Sequence, residues 1–197
     1  MFLKILKWVV IIFVLAFGVF FVWRVMVVGE KEETEREVAR IHATELSVSD
    51  VMGNKLPPNP ENPDATVVGI DENENGIRDD VELAIFAEYP NSARTRAVLL
   101  QYALALQRQA VLPIINTETV IASVQEEDRA FVCIGEIIPR DDFAMFDRET
   151  ELLTDFVKNK QLNTPERKQN RTEFYEKIDS YSSLTKTCDI ELSTLPN

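Results

Sequence analysis

A long apolar run near the N-terminus constrains this chain more than any other feature. The segment from Trp8 to Trp23 holds 16 uncharged residues, and after Arg24 the run continues to Val28. A helix from Trp8 to Val28 rises about 31 Å, which is enough to cross the hydrocarbon core of a bilayer, and Arg24 lies close enough to its end to reach the head groups. The sequence therefore predicts one transmembrane helix, with residues 1–29 as a membrane anchor.

The residues around this run indicate how the chain is oriented. Lys4 and Lys7 precede it, and no cleavage site of the A-x-A type follows it, so an uncleaved signal anchor is favoured over a cleaved signal peptide. The positive-inside rule places the two lysines in the cytoplasm. We expect a single-pass protein of the inner or plasma membrane whose C-terminal domain is extracytoplasmic. A secreted module cleaved near Gly29 is the alternative.

Net charge separates the anchor from the rest of the chain. The first 29 residues carry three basic and no acidic side chains, so the other 168 carry a net charge of −15, while the whole chain carries −12. A surface this acidic repels nucleic acid and anionic lipid and attracts cations, so we expect no nucleic-acid partner. A segment of 168 residues is long enough for one domain with a hydrophobic core.

The sharpest chemical signal is the stretch from Asp71 to Glu82. It matches every fixed position of the calcium-loop pattern D-x-[DN]-x-[DN]-G-x5-E, and Gly76 supplies the sharp bend at the sixth position. Ca²⁺ binds about six to eight oxygens, which alternate residues of a tight loop can direct inward. The expected ligands are five side chains and, at the seventh position, a backbone carbonyl: Asp71, Asn73, Asn75, Asp79, Glu82 and Ile77.

This stretch resembles EF-hand-type calcium loops, and more closely the solitary extracellular loops of dockerin-like and thrombospondin type-3-like repeats. The resemblance covers Gly69 to about Glu82. Two departures argue against a paired, calmodulin-like sensor: residues 57–64 are too rich in proline for an entering helix, and Arg78 occupies an eighth position that is usually aliphatic. The order of anchor, loop and helices also resembles that of uncharacterised bacterial envelope proteins. This second resemblance brings no known activity with it.

A helix-capping turn is the competing interpretation of the same residues. Asp79 and Glu82 have the spacing of a capping pair, with Asp79 as the N-cap. Capping does not explain why Asn73, Asn75 and Gly76 also match the pattern, so we favour a calcium site. Because only three of the expected ligands are acidic, we expect a weak affinity of about 10⁻⁴ to 10⁻³ M, as in extracellular modules.

The rest of the chain divides into three segments. Residues 30–46 predict a charged juxtamembrane helix, and we assign no role to its histidine, His42. Residues 47–68 are rich in proline and predict a linker, and residues 69–197 combine the calcium loop with about five helices. These helices are expected to begin at Asp79 or Asp80, Ser92, Thr117, Asp142 and Thr164. No segment alternates like a strand, so we predict an all-α fold in which the loop leads into a compact bundle.

Cys133 and Cys188 are the only cysteines in the chain. They form no C-x-x-C motif, so neither redox catalysis nor a zinc site is indicated. Outside the cytoplasm such a pair more often forms a disulfide, and two buried free thiols are the alternative.

The sequence shows no familiar catalytic motif, such as G-x-S-x-G, H-E-x-x-H or a P-loop. The acidic clusters Glu126–Asp128 and Asp141–Asp142 are more often solvated faces or caps than catalytic groups, so we expect no enzyme. Our leading hypothesis is a membrane-anchored extracytoplasmic protein that holds one structural Ca²⁺ and binds an unknown envelope protein as a scaffold. The alternative is a membrane-anchored cell-wall hydrolase with an acidic catalytic residue.

Overall fold

The structure, a computed structural model, describes residues 2–112 and 115–197. These residues form seven α-helices and two short 3₁₀ helices, and no strand occurs among them. The α-helices are α1 (Phe2–Ala43), α2 (Val48–Val51), α3 (Asp79–Glu88), α4 (Ala93–Val111), α5 (Thr117–Ile134), α6 (Phe143–Gln161) and α7 (Pro165–Tyr175). The 3₁₀ helices are Gly135–Ile137 and Leu192–Thr194. The all-α class expected from the sequence is confirmed.

Helix α1 joins the predicted anchor and the predicted juxtamembrane helix without a break. Its segment Val10–Ala43 is long and apolar enough to cross a membrane, and none of the apolar window within it is buried. Large side chains such as Phe13 and Trp23 are exposed. A bilayer would cover these apolar surfaces, which water solvates poorly. The N-terminal helix therefore has the length and the apolar surface that the sequence predicts for a membrane span. No second helix of this kind occurs in the described part of the chain.

The chain divides into two compact units, Met1–Arg40 and Ile41–Asn197. In the second unit α4 is the central helix, which packs against α3, α5, α6 and α7. Every residue from Val98 to Leu106 is buried, and Leu99 and Leu100 are fully so. Burying one leucine side chain is worth about 1.5–3 kcal/mol, so this stretch of α4 supplies much of the hydrophobic stabilisation of the bundle.

Side-chain caps set the starts of several helices where the sequence predicts them. Ser92 and Asp142 each accept a backbone N–H from three residues further on, at 3.2 and 3.1 Å, and so begin α4 and α6. Thr164 does the same before α7, whose first residue is Pro165. These bonds satisfy N–H groups that have no partner inside the helix. Helix α5 begins at Thr117, also as predicted.

Residues 47–68 are expected from their proline content to form a linker, but in the structure they pack against the bundle. Val51 is fully buried, and its carbonyl accepts a hydrogen bond from Arg96 Nε at 3.0 Å. The buried guanidinium of Arg167 donates to three carbonyls in the same segment at 2.7–3.0 Å. The proline content of the segment does not reveal these contacts, because both arginines lie more than 40 residues further along the chain.

A disulfide joins Cys133 on α5 to Cys188 in the C-terminal segment, so the predicted bridge is confirmed. The two cysteines are 55 residues apart in the sequence. In the chain-entropy model, closing a loop of this length stabilises the folded state by about 4 kcal/mol. Residues 176–197 contain no α-helix, so the bridge is one of the main features that hold them to α5.

Candidate metal site and the neighbouring buried carboxylates

Two glycines shape the loop that leads into α3. Gly69 and Gly76 have φ angles of +75° and +85°, in the left-handed region where other residues are strained. A Cβ atom at position 76 would lie 2.7 Å from Leu104 Cδ1, and one at position 69 would lie 2.6 Å from Cδ of Arg78. Both positions therefore require glycine, and the sharp bend predicted at Gly76 is present.

Asp71, the first expected ligand, organises the backbone of the loop. Its Oδ1 accepts the amide N–H of Asn75 at 3.1 Å, and its Oδ2 accepts that of Gly76 at 2.9 Å. Burial raises the pKa of this carboxyl group, although the backbone hydrogen bonds act in the opposite direction. The loop thus closes around a carboxylate that is partly removed from water.

Three further expected ligands converge on one point. The side-chain amides of Asn73 and Asn75 each donate from Nδ2 to Oε2 of Glu82 at 3.0 Å. Glu82 is only 1% exposed, and burial raises its pKa to about 7. The two amide hydrogen bonds oppose this shift, and the negative charges of Asp50 and Asp79 add to it. The third, fifth and twelfth loop positions are therefore in contact around a desolvated carboxylate.

The capping interpretation of Asp79 and Glu82 is wrong. Helix α3 begins at Asp79, and its N-cap is Arg78, which makes no capping hydrogen bond with its side chain. Both Asp79 carboxylate oxygens instead accept the backbone N–H of Glu72, at 3.1 and 3.2 Å. Burial raises the pKa of Asp79, this hydrogen bond lowers it, and the negative charge of Asp71 raises it again. Asp79 therefore faces the loop, where a ninth-position ligand belongs.

The backbone at Ile77 and the side chain of Arg78 attach the loop to the bundle. Ile77, whose carbonyl is the expected seventh-position ligand, has a fully buried side chain and donates its N–H to Asn75 Oδ1 at 2.9 Å. Arg78 is also fully buried: its Nε donates to Asp80 at 2.8 Å, and its Nη1 donates to the Gln161 carbonyl at 3.1 Å. The sequence marks Arg78 as unusual but does not reveal this anchoring role.

A hard cation would require a local rearrangement of the loop side chains. Within residues 2–112 and 115–197, no three histidine, cysteine, aspartate or glutamate side chains form a group that could hold a metal ion. Asparagine and backbone oxygens must therefore complete any site. Asn73 and Asn75 present amide nitrogens to Glu82, so both amides would have to rotate to offer oxygen. The donors are nevertheless oxygen-bearing groups, which is the ligand chemistry that Ca²⁺ prefers.

A second buried carboxylate, Glu126, is surrounded by cationic groups. It accepts hydrogen bonds from Arg108 at 3.1 Å and from Arg129 at 2.6 and 2.9 Å, and its Oε1 lies 2.8 Å from His42 Nδ1. Burial acts to raise the pKa of Glu126, but the hydrogen bonds from Arg129 and His42 and the two arginine charges outweigh it, so the pKa is lowered. His42, to which the sequence alone assigns no role, lies in the last turn of α1 and connects that turn to α5.

Glu127, the next residue, lies at the wall of a cavity of about 520 Å³. Its carboxylate accepts hydrogen bonds from Arg171 at 2.7 Å, from Gln109 at 2.5 Å and from the Tyr175 hydroxyl. These donors occupy the lone pairs that a general acid would need for its own proton. Glu127 therefore holds neighbouring side chains together through hydrogen bonds. Asp142, from the other acidic cluster, is the N-cap of α6.

No protein-family model, curated protein or solved structure matches this chain.

Proposed function

We propose that this protein is a membrane-anchored, extracytoplasmic calcium-binding protein in which one structural Ca²⁺ stabilises the loop from Asp71 to Glu82. The observation that carries the proposal is the contact of Asn73 and Asn75 with the buried carboxylate of Glu82. A carboxylate with a raised pKa is destabilised in its charged form, and a bound cation relieves that cost.

The neighbouring carboxylates support the same proposal. Asp71 and Asp79 also have pKa values raised by burial, and their hydrogen bonds come from neutral backbone amides. The nearest arginine in the sequence, Arg78, is paired with Asp80 rather than with these groups. The carboxylates of Asp71, Asp79 and Glu82 therefore lie close together in the loop, and none of them forms an ion pair with a described residue.

The orientation of the chain belongs to the same proposal. Lys4 and Lys7 remain in the cytoplasm, α1 crosses the inner or plasma membrane, and the unit Ile41–Asn197 lies outside. The disulfide supports this side of the membrane, since such bonds persist in oxidising compartments. In that location calcium fills even a site of about 10⁻⁴ to 10⁻³ M affinity constitutively, so the ion has a structural role rather than a signalling role.

The biological role that we propose is binding: the calcium-stabilised bundle acts as a scaffold for another envelope protein. A net charge of −15 outside the anchor favours a partner with a basic surface. Crosslinking of the full chain in membranes, followed by capture in calcium and in a chelator, tests this role. A scaffold protein should give a crosslinked partner that disappears in the chelator, and a pattern unchanged by calcium would contradict the role.

Thermal unfolding of the full chain in detergent tests the calcium site. At 10 mM Ca²⁺ and the expected affinity, ligand binding adds about 1.4–2.7 kcal/mol of stability. For a protein of this size that corresponds to a rise in melting temperature of about 3–10 °C over the chelator sample. Equal melting temperatures with Ca²⁺ and with chelator would contradict the site.

A matched pair of variants separates a ligand effect from a charge effect. Glu82→Gln removes the expected twelfth-position ligand and should abolish the calcium-dependent rise. Glu72→Gln removes one negative charge from the same loop at an exposed position that supplies no ligand side chain, and it should leave most of the rise intact. An equal loss in both variants would mean that the loop attracts cations only diffusely.

A further inference from the structure

The cavity beside Glu127 has the size and lining of a ligand site and plays no part in calcium binding. Its volume of about 520 Å³ falls within the range of about 300–1,000 Å³ typical of small-molecule pockets. Four aromatic side chains line it: Tyr102, Phe131, Tyr175 and Tyr181. Phe131 and Tyr181 are 44% and 42% exposed, so apolar ring surface faces the cavity or solvent without a protein partner covering it.

The charges of the cavity divide into satisfied and unsatisfied groups. Glu127 is satisfied, because Arg171 and three neutral donors surround its carboxylate. Asp128 and Lys158 also line the cavity, and both are half-buried. Within residues 2–112 and 115–197, neither side chain forms a hydrogen bond or an ion pair, and the negative charge of Asp128 adds to the effect of burial in raising the pKa of Tyr181 at the same cavity. The cavity therefore presents one free carboxylate and one free ammonium group beside an aromatic wall.

We propose that this cavity binds a short peptide with free ends, whose α-ammonium group pairs with Asp128 and whose carboxylate pairs with Lys158. A ligand with a single charge would leave one of the two side chains half-buried and unpaired, which is unfavourable. An uncharged sugar would leave both unpaired. A zwitterion satisfies both, and its apolar side chain packs on rings such as that of Phe131.

The volume of the cavity limits the length of the peptide. At about 520 Å³ the cavity lies in the range of about 300–1,000 Å³ that accommodates small molecules, so only a short peptide fits. The proposed ligand is therefore a di- or tripeptide with an apolar residue. This proposal does not depend on the calcium site, and the affinity for peptide should be the same in calcium and in chelator.

Isothermal titration of the full chain in detergent tests the proposal with the tripeptide Ala-Phe-Ala. The free peptide should bind with a Kd below about 1 mM, and N-acetylation or C-amidation should each weaken binding about tenfold, the usual range for a lost charge-assisted contact. No binding of the free peptide up to 10 mM, or equal binding of all three forms, would overturn the proposal.

Two variants assign each peptide end to its partner. Asp128→Asn should weaken the free peptide about tenfold and remove the sensitivity to N-acetylation, while sensitivity to C-amidation persists. Lys158→Met should do the reverse. The exposed residues Asp147 and Lys168 serve as matched controls, and D147N and K168M should bind like wild type. Variants that weaken all three peptide forms equally would show that neither end is recognised, which would contradict the assignment.

Discussion

Glu82 and Glu126 are buried to nearly the same extent, at 1% and 2% exposure, yet their environments differ in kind. Glu126 receives hydrogen bonds from two arginines, and its pKa is lowered despite burial. Glu82 receives hydrogen bonds from two neutral amides, and burial raises its pKa to about 7. The same cost of desolvation is thus offset by arginine charges at Glu126 and only by neutral amide hydrogen bonds at Glu82.

The comparison explains why only one of the two sites is a candidate for metal binding. A buried carboxylate paired with arginine gains little from a second cation, because its charge is already compensated. A buried carboxylate beside amides and further carboxylates gains a great deal. Burial alone therefore does not identify a cation site; the charge of the surrounding donors decides.

The largest expected effect comes from removing a cation at the Glu126 site. Arg129→Met leaves Glu126 and Asp189 buried with one cationic partner fewer, and it should destabilise the fold by about 3–5 kcal/mol. Urea unfolding followed by circular dichroism measures the loss. Arg148→Met is the control, since Arg148 is exposed and, among the described residues, pairs with its neighbour Glu149, and it should change stability by less than about 0.5 kcal/mol. A loss of stability in R129M as small as that in the control would contradict the claim that arginine charges compensate the buried Glu126, unlike Glu82.

A smaller effect is expected at the bend of the calcium loop. Gly76→Ala introduces a Cβ atom at a φ of +85° and against Leu104, so it should cost about 1–3 kcal/mol and also weaken calcium binding. Gly29→Ala, a helical position with open space around it, should cost nothing. If G76A kept both wild-type stability and calcium affinity, the bend at position 76 would not require glycine, which would contradict the structure.

The smallest expected effect is a pH dependence of the free energy of unfolding, which arises from the titration of Glu126. Its pKa is lower in the folded protein than its usual value of 4.5, so its contribution is complete above about pH 4.5 and is lost as pH falls through the folded pKa. The stability difference between wild type and R129M should therefore narrow below pH 4.5. Unfolding in urea between pH 3 and 6 measures it, and a difference that widened on acidification would contradict the assignment.

The sequence predicts those parts of the fold that depend on neighbouring residues. The helix starts at Ser92, Asp142 and Thr164 and the long apolar helix at the N-terminus are confirmed, because a helix start or an apolar run depends only on adjacent positions. The disulfide between Cys133 and Cys188 is confirmed because two cysteines allow a single pairing.

Features that depend on distant partners were not predictable from the sequence. His42 meets Glu126 across 84 positions, and Arg78 meets the Gln161 carbonyl across 83. No local pattern encodes such pairs, since they arise from how the helices pack. The aromatic cavity beside Glu127 was missed for the same reason: its lining residues come from four helices and the segment that follows α7.

A calcium titration of the full chain by calorimetry, in wild type and in Glu82→Gln, tests the central claim most directly. Wild type should bind one Ca²⁺ per chain with a Kd of about 10⁻⁴ to 10⁻³ M, and E82Q should show no binding in the same range. Absence of binding in wild type up to 10 mM, or equal affinity in E82Q, would contradict the claim that the Asp71–Glu82 loop depends on an external cation.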